Sequence, residues 1–189
     1  MQRAQLRIIG GIWRGRRIPF PPLPGVRPTP DRVRETLFNW LQPQIVASRC
    51  LDLFAGSGAL GLEALSRQAA EVVFVDSAPG VATAIRDHLS TFGTTQGEVV
   101  TTTAERYLQQ GGEPFDLIFV DPPFSSGMLP SLLTLIGERG WLRQGGSLYL
   151  ESEQAVDPAW FAPFHWQIRR QKRAGQVYST LVDAVGEGG

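Results

Sequence analysis

Residues 50–61 read CLDLFAGSGALG, and this stretch indicates the fold more strongly than any other part of the 189-residue chain. The apolar segment from Cys50 to Phe54 has the composition of a buried strand, and a helix-like segment from Ala59 to Gln68 follows it. Glycines between the two let the backbone turn tightly and approach a ligand at the start of the helix. A strand, a glycine-rich turn and a helix in this order predict the first unit of a Rossmann-like α/β fold.

The same alternation of strands and helices continues after this stretch. Further strands are predicted at 72–76, 98–103, 116–121 and 146–151, and further helices at 79–92, 104–109 and 128–139. The runs Val72–Val75 and Leu117–Val120 are apolar without alternation, as in strands that are buried on both faces of a parallel sheet. Segments 166–173 and 177–185 alternate and join across Gly175, which predicts an antiparallel hairpin at one edge of the sheet.

The composition excludes several other classes of protein. Apolar residues make up 42% of the chain, enough for a globular core. No apolar run reaches the length of about 18 residues that a membrane helix needs, and the first 30 residues lack the apolar stretch of a signal peptide. One cysteine, Cys50, and two histidines exclude an internal disulfide and a structural zinc site of Cys/His type. We expect a soluble, cytoplasmic protein without a metal.

The first 49 residues differ from the rest in charge and in pattern. Residues 1–34 hold eight arginines and one acid, a net charge of +7, whereas residues 35–189 carry −7. The pattern predicts a small hairpin from Leu6–Ile9 and Gly15–Ile18, a proline-rich linker over 19–30, and a helix to about Leu41 that Thr29 or Asp31 caps. We therefore predict three parts: a basic nucleic-acid-binding extension at 1–49, an α/β domain at 50–185 and a frayed tail at 186–189.

Two acidic residues end the first two strands of the α/β domain. Asp52 stands just before the glycines, where its charge would repel a pyrophosphate but hold the cationic, amino-acid-like tail of S-adenosyl-L-methionine, directly or through water. Asp76 suits a ribose diol, which both this donor and dinucleotides contain. The glycine loop alone fits a nicotinamide or flavin site as well. The pair of acids favours S-adenosyl-L-methionine, and a dinucleotide is the alternative.

At the end of the third strand, Thr103 and Ala104 stand where many such proteins contact the adenine amine with Asp or Asn. The Thr103 hydroxyl or a backbone group is the substitute here. The predicted cofactor-binding residues are Asp52, Phe54, Ala55, Gly56, Ser57, Gly58, Gly61, Asp76, Ser77, Thr103, Ala104 and Asp121.

The segment Asp121-Pro122-Pro123-Phe124 follows the fourth predicted strand. Two prolines fix the backbone and remove two N–H donors, so that carbonyl groups and the Asp121 carboxylate form a rigid set of acceptors. Such acceptors suit an exocyclic NH₂, because bonds to its hydrogens favour pyramidalisation and direct the nitrogen lone pair at a methyl group. Phe124 offers a face on which an unpaired base can stack. We predict that Asp121, Pro122, Pro123 and Phe124 are the catalytic residues.

The basic extension is rich in groups that bind nucleic acid. Arginine pairs with phosphate in bidentate fashion and stacks on bases, and Trp13 adds an aromatic platform. The predicted RNA-binding residues are Arg7, Trp13, Arg14, Arg16, Arg17, Arg27, Arg32 and Arg34. Two local alternatives stay open, since Arg32 and Glu35 can pair with each other and Arg34 can lie near the cofactor.

Six segments carry a resemblance to a known family: residues 7–11, 14–16, 27–29, 32–41, 52–61 and 121–124. On these segments the chain resembles the bacterial methyltransferases that modify the exocyclic N2 amine of one guanine in 16S ribosomal RNA. The resemblance implies a class I methyltransferase fold with a seven-stranded sheet, and S-adenosyl-L-methionine as donor with S-adenosyl-L-homocysteine as product. It also implies a substrate presented by a partly assembled small ribosomal subunit. We expect a monomer.

Two other functions fit parts of the pattern. Amino-directed methyltransferases of DNA adenine or cytosine, or of protein glutamine, share both motifs, although this chain has no room for a separate DNA-recognition domain. A non-catalytic RNA-binding assembly factor would keep the basic extension and lack methyl transfer. A nicotinamide oxidoreductase is less favoured because no Tyr/Lys or His proton relay is visible.

Overall fold

The computed structural model describes residues 4–20, 22 and 29–186. The chain divides into two compact units, Met1–Thr103 and Ala104–Gly189. The sequence predicts a different division, into an extension at 1–49 and a domain at 50–185, which stays a prediction. No helix within the described ranges is long and apolar enough to span a bilayer.

The first unit holds a small hairpin and three parallel strands. The strands are β1 (Ala4–Arg7), β2 (Arg17–Phe20), β3 (Arg49–Asp52), β4 (Glu71–Asp76) and β5 (Gly97–Thr101). The helices are α1 (Asp31–Ile45), α2 (Ala59–Ser66) and α3 (Pro79–Phe92). β1 and β2 pair antiparallel, with Leu6 opposite Ile18. A hairpin was predicted here, but its strands lie at 4–7 and 17–20 rather than at 6–9 and 15–18, so β2 includes Pro19 and Phe20 of the predicted linker. The other three strands stand in the order β5-β4-β3, so β4 is paired on both sides.

Burial explains why these segments form this sheet and its covering helix. Val72–Val75 of β4 are buried, as the unbroken apolar run predicts. Every residue of α2 is buried as well. A Cβ atom on Gly61 would collide with the ring of Phe74, so glycine at this position lets α2 lie directly on β4. The helix that begins at the glycine loop is therefore fixed tightly to the sheet.

The second unit holds four strands and two helices. The strands are β6 (Phe115–Val120), β7 (Leu142–Ser152), β8 (Trp166–Ala174) and β9 (Val177–Ala184), in the order β6-β7-β9-β8. The helices are α4 (Ala104–Gln109) and α5 (Leu129–Glu138). β6 and β7 are parallel, whereas β9 is antiparallel to both β7 and β8. Counted over both units, the sheet has seven strands, mostly parallel with an antiparallel edge hairpin, and the predicted fold class is confirmed.

The residue before helix α1 is Pro30, which has no side-chain group that could cap the first turn. A cap from Thr29 or Asp31 stays a prediction. The carbonyl of Thr29 accepts a hydrogen bond from Arg34 Nε at 3.1 Å, and the Asp31 carboxylate accepts one from the same guanidinium. The helix also runs past Leu41 to Ile45, whose apolar side chain is buried. A buried arginine therefore organises the start of α1.

Three predicted strands end earlier than expected. β3 ends at Asp52 rather than Phe54, β5 at Thr101 rather than Thr103, and β6 at Val120 rather than Asp121. The chain turns at these points into the loops that begin the site, since the Ala55 N–H already bonds to the carbonyl of Val75 at 2.9 Å. Asp52 and Asp76 are thus the last residues of their strands, and Asp121 is the first residue after its strand.

Candidate functional site

Asp52 is a buried acid at the end of β3. Its side chain is 2% exposed, and Oδ2 accepts a hydrogen bond from the Gly61 N–H of α2 at 3.0 Å. Burial, and to a lesser degree the charge of Asp76, raises the pKa of Asp52 to about 7, although the Gly61 bond lowers it. A bound cation would favour the ionised form of this carboxyl group. The site is therefore built for positive charge rather than for phosphate.

Asp76 fixes the glycine loop at the end of β4. Its Oδ2 accepts from the Gly56 N–H at 3.0 Å and its Oδ1 from the Ala78 N–H at 2.9 Å. Each carboxylate oxygen accepts more than one hydrogen bond, so both keep capacity for the hydroxyls of a ribose. Asp76 holds the loop in place and still presents acceptors to a ligand.

The glycine loop between Asp52 and α2 has the backbone that the sequence predicts. Gly56 and Gly58 have φ angles of 52° and 78°, in the left-handed region that glycine adopts without strain. The Gly58 N–H closes the turn on the carbonyl of Ala55 at 2.7 Å. Hydrogen bonds thus join Gly56 to Asp76 and Gly61 to Asp52. Ten of the twelve predicted cofactor-binding residues belong to the first unit: Asp52, Phe54, Ala55, Gly56, Ser57, Gly58, Gly61, Asp76, Ser77 and Thr103.

Thr103 and Ala104 fall at the division between the units. Thr103 is exposed, two residues beyond β5, and the preceding Thr102 N–H bonds to the carbonyl of Asp76 at 3.0 Å. Ala104 is buried at the start of α4. The Thr102 bond ties the end of β5 to the backbone of Asp76, and the role of Thr103 toward adenine stays a prediction.

The charged side chains at the ends of β3 and β4 are both acids, Asp52 and Asp76. A nucleoside with a positively charged tail matches this set, because one acid suits the cation and the other suits a ribose diol. The residues therefore fit S-adenosyl-L-methionine better than a dinucleotide pyrophosphate.

The Asp121-Pro122-Pro123-Phe124 segment lies in the second unit, directly after β6. Asp121 is partly buried and Pro122 is buried, whereas Phe124 is 48% exposed. The Pro123 carbonyl accepts from the Ser126 N–H at 3.3 Å, which closes a turn. A partly exposed carboxylate and an exposed aromatic ring on one short rigid segment are suited to a planar group that carries an amine.

A buried polar group lies on the neighbouring strand. Leu150 of β7 is in register with Val120, so Glu151 stands beside the start of the Asp121 segment. The Tyr149 hydroxyl donates to Glu151 Oε1 at 2.9 Å and lies 3.0 Å from Ser179 Oγ. Burial first, and the Glu151 carboxylate second, raise the pKa of Tyr149 well above its usual range. The phenol therefore remains a hydrogen-bond donor at neutral pH.

Most of the predicted RNA-binding arginines of the first unit face solvent. Arg7, Arg14, Arg16, Arg17 and Arg32 are exposed. The Arg16 guanidinium lies over the ring of Phe92, 4.4 Å from its centroid. The sequence did not predict this contact of Phe92, because Phe92 is the last residue of α3 and lies far from Arg16 in the sequence. The hairpin loop is thus a basic surface backed by an aromatic residue of α3.

Two predicted RNA-binding residues are buried, which corrects the prediction at these positions. Trp13 is 8% exposed and stacks on Phe92 with ring centroids 4.2 Å apart, so its face is already occupied. Arg34 is 1% exposed and donates to the Arg7 carbonyl at 2.9 Å. Desolvation lowers the pKa of Arg34, while Glu63 and Asp31 raise it. Arg27 lies outside the described residues.

Glu63 joins the loop of the hairpin to helix α2, a role that the sequence did not predict. Its fully buried carboxylate accepts from the Ile9 and Gly10 N–H groups at 2.9 and 2.8 Å. It also pairs with Arg67 at 2.9 Å and Arg34 at 3.5 Å. An acid in the otherwise apolar sequence of α2 was the available signal, since a buried charge requires partners.

The chain is similar to known proteins over nearly its whole length. A family model described as "Conserved hypothetical protein 95" matches residues 6–183. "Ribosomal RNA small subunit methyltransferase D" of Escherichia coli (strain K12) is 47% identical, over 97% of this chain and 92% of that protein. The protein of the same name from Haemophilus influenzae is 42% identical, over 93% and 92%. The solved structure "Putative methyltransferase yhhF from Escherichia coli" has a TM-score of 0.87 at 46% identity, over 97% of this chain and 100% of that chain.

Proposed function

Because the chain belongs to the family described as conserved hypothetical protein 95, we propose that it transfers a methyl group from S-adenosyl-L-methionine to the N2 amine of one guanine in 16S ribosomal RNA. The names of its relatives support methylation of small-subunit ribosomal RNA. One observation carries the choice of an amine: Asp121, which is partly buried, and Phe124, which is exposed, lie three positions apart on one segment that contains two prolines.

The first unit holds the methyl donor. S-adenosyl-L-methionine supplies an electrophilic methyl group on a positively charged sulfur when it is bound. Asp52 offers its negative charge to the cationic tail, Asp76 accepts hydrogen bonds from the ribose, and the glycine loop lets the backbone approach the ligand. Phe54 and Ser57 belong to the same loop, Ser77 follows Asp76, and Thr103 is the candidate contact of the adenine amine. These residues bind and orient without taking a proton.

The second unit orients the nucleophile. The lone pair of an exocyclic amine is delocalised into the ring and is a poor nucleophile as it stands. Asp121 and the Pro122 carbonyl accept hydrogen bonds from the two amine hydrogens, which directs the lone pair away from the ring plane. Phe124 stacks on the base, and its 48% exposure leaves one face available for this contact.

The exposed arginines of the first unit are the proposed contacts to RNA phosphates. Arg7, Arg14, Arg16, Arg17 and Arg32 face solvent, and arginine pairs with phosphate bidentately. Arg27 belongs to the same proposal by its sequence. The substrate is proposed to be a partly assembled small subunit bound by a monomer, with S-adenosyl-L-homocysteine as the released product.

Transfer of a labelled methyl group tests this proposal. Purified protein is incubated with labelled S-adenosyl-L-methionine and with unmodified small ribosomal subunits, naked 16S RNA, duplex DNA or a protein release factor. We expect label in the RNA of small subunits and none in DNA or protein. Label in DNA or protein alone would assign the motif to another amino-directed methyltransferase, and RNA binding without transfer would indicate an assembly factor.

A further inference from the structure

The loop after Phe124 contains a residue in an unfavourable backbone conformation. Ser125 has a φ angle of 59°, in the left-handed region. For a residue with a Cβ atom this conformation costs roughly 1–2 kcal/mol relative to the right-handed region. A non-glycine residue stays there only if surrounding contacts hold it.

Glu153 supplies those contacts. Its carboxylate accepts a hydrogen bond from the Ser125 N–H at 3.0 Å and another from the Ser125 hydroxyl at 3.1 Å. Glu153 is the first residue after β7, and β7 is fixed in the sheet between β6 and β9. The glutamate thus ties the loop that follows β6 to the rigid end of the next strand.

We propose that Glu153 is a positioning residue for the substrate base, which acts by holding Ser125 so that the Phe124 ring keeps its exposed orientation. This inference rests on the proposed function, because the proposed substrate provides the base on which the Phe124 ring stacks. Phe124 immediately precedes the constrained residue, so the φ angle of Ser125 determines how the loop leaves the ring. A free loop would let the exposed apolar ring fold onto the protein surface.

The exposure of the contact argues that it serves the loop rather than the stability of the fold. Ser125 and Glu153 are both exposed, and charged contacts at the surface add little to the free energy of unfolding. Neither residue is among the buried core side chains of the described part of the chain. Removing Glu153 is therefore expected to change substrate use and to leave the fold intact.

Four variants separate these roles: Glu153→Ala, Glu153→Gln, Phe124→Ala and the double variant of Glu153→Ala with Phe124→Ala. Glu138→Ala is the matched control, because Glu138 is also exposed in the second unit and its loss changes the charge equally. Methyl transfer to unmodified small subunits gives kcat and KM, titration with S-adenosyl-L-homocysteine gives donor-site affinity, and thermal unfolding gives stability. Hydrogen exchange of the 121–130 peptide reports loop order.

We expect Glu153→Ala to lower kcat/KM for the subunit about fivefold to tenfold, the size of one ordinary hydrogen bond. Glu153→Gln keeps an oxygen acceptor for the Ser125 N–H and should lose less than about half of kcat/KM. Because Glu153 acts through Phe124, Glu153→Ala should cost nothing further in the Phe124→Ala background. Hydrogen exchange in the loop should rise in Glu153→Ala and stay unchanged in Glu153→Gln. Donor affinity and Tm should stay unchanged in both variants.

Three results would overturn the inference: full activity of Glu153→Ala, equal losses in both backgrounds, or a loss of Tm that matches the loss of activity. A failure of the proposed function looks different, since the unaltered protein would then transfer no methyl group to small subunits.

Discussion

The strand-end acids of the two units are held in different ways. In the first unit, Asp52 is buried and accepts a hydrogen bond from the Gly61 N–H, and Asp76 accepts hydrogen bonds from the backbone N–H groups of Gly56 and Ala78. In the second unit, Asp121 is partly buried on a turn whose aromatic residue, Phe124, is 48% exposed. The first arrangement is bonded to the glycine loop and to the residues that follow β4, and the second ends in an aromatic ring that is half exposed to solvent.

This difference agrees with the division of tasks that we propose for the two units. A preformed set of hydrogen bonds keeps its geometry when a small ligand binds and leaves, which suits a cofactor site. An exposed ring beside a carboxylate gains most from a large partner that excludes water around it. Variants in the first unit should therefore change the affinity for the donor and for RNA, and variants at Asp121 should change the rate of methyl transfer.

The largest expected effect is that of Asp121→Ala. Loss of the acceptor that orients the amine should lower the single-turnover rate of methyl transfer about 10²–10³-fold, the range seen when one preorganised electrostatic contact is removed. Affinity for S-adenosyl-L-homocysteine, measured by calorimetry, should change less than about twofold. Comparable losses of rate and affinity would mean that Asp121 supports the structure of the site, and the proposed division would fail.

A smaller effect is expected from Asp52→Asn. Since a cationic ligand binds best to the ionised carboxyl group, and the pKa of Asp52 is about 7, affinity for S-adenosyl-L-methionine should rise about tenfold between about pH 5.5 and 7. The Asn variant should bind more weakly at pH 7 and show no such rise. Equal pH dependence in both proteins would exclude Asp52 as the titrating group.

Stability gives an independent check on Asp52. The pKa is raised from 3.8 to about 7 on folding, so the folded protein holds this proton more tightly than the unfolded chain. The free energy of unfolding should therefore fall as pH rises from about 4 to about 7. Asp52→Asn removes this term, and denaturant titrations should find its stability flatter with pH and higher than the parent's at about pH 8. A variant that is less stable than the parent at pH 8 would contradict the assignment.

The smallest effect concerns the basic surface of the first unit. Arg16→Ala with Arg17→Ala removes two exposed charges, and the slope of log affinity for RNA against log salt should fall by about 1.4, at about 0.7 per phosphate contact on single strands. Arg106→Ala with Arg139→Ala, also exposed but in the second unit, is the control of equal charge. Equal slopes in the two double variants would remove the hairpin loop from the RNA-binding surface.

Local patterns predicted much of the fold. The apolar runs Val72–Val75 and Leu117–Val120 marked the buried strands, because such runs have no polar face to expose. The bounds of α3 were predicted correctly, since Pro79 begins the helix and Gly93 ends it with a left-handed φ of 65°. Glycine spacing also predicted the turn before α2, where Gly56 and Gly58 have positive φ angles, and the role of this loop toward a cofactor stays a prediction.

What the sequence did not predict depends on contacts between distant residues. Trp13 and Arg34 looked like RNA ligands because both are common at such surfaces, yet Trp13 stacks on Phe92 and Arg34 lies with Glu63 inside the first unit. The Ser125–Glu153 contact joins residues 28 positions apart. A charge pattern shows that arginines are numerous in a segment, and only tertiary packing decides which of them face solvent.

Mass spectrometry of 16S ribosomal RNA tests the central claim most directly. Nucleosides and fragments are compared between RNA from cells that contain the protein and from cells that lack its gene, with Asp121→Ala supplied as a third sample. We predict one N2-methylguanosine that disappears with the gene and is not restored by Asp121→Ala. Identical RNA in all three samples, or a lost methyl group on any atom other than an exocyclic base amine, would contradict the account.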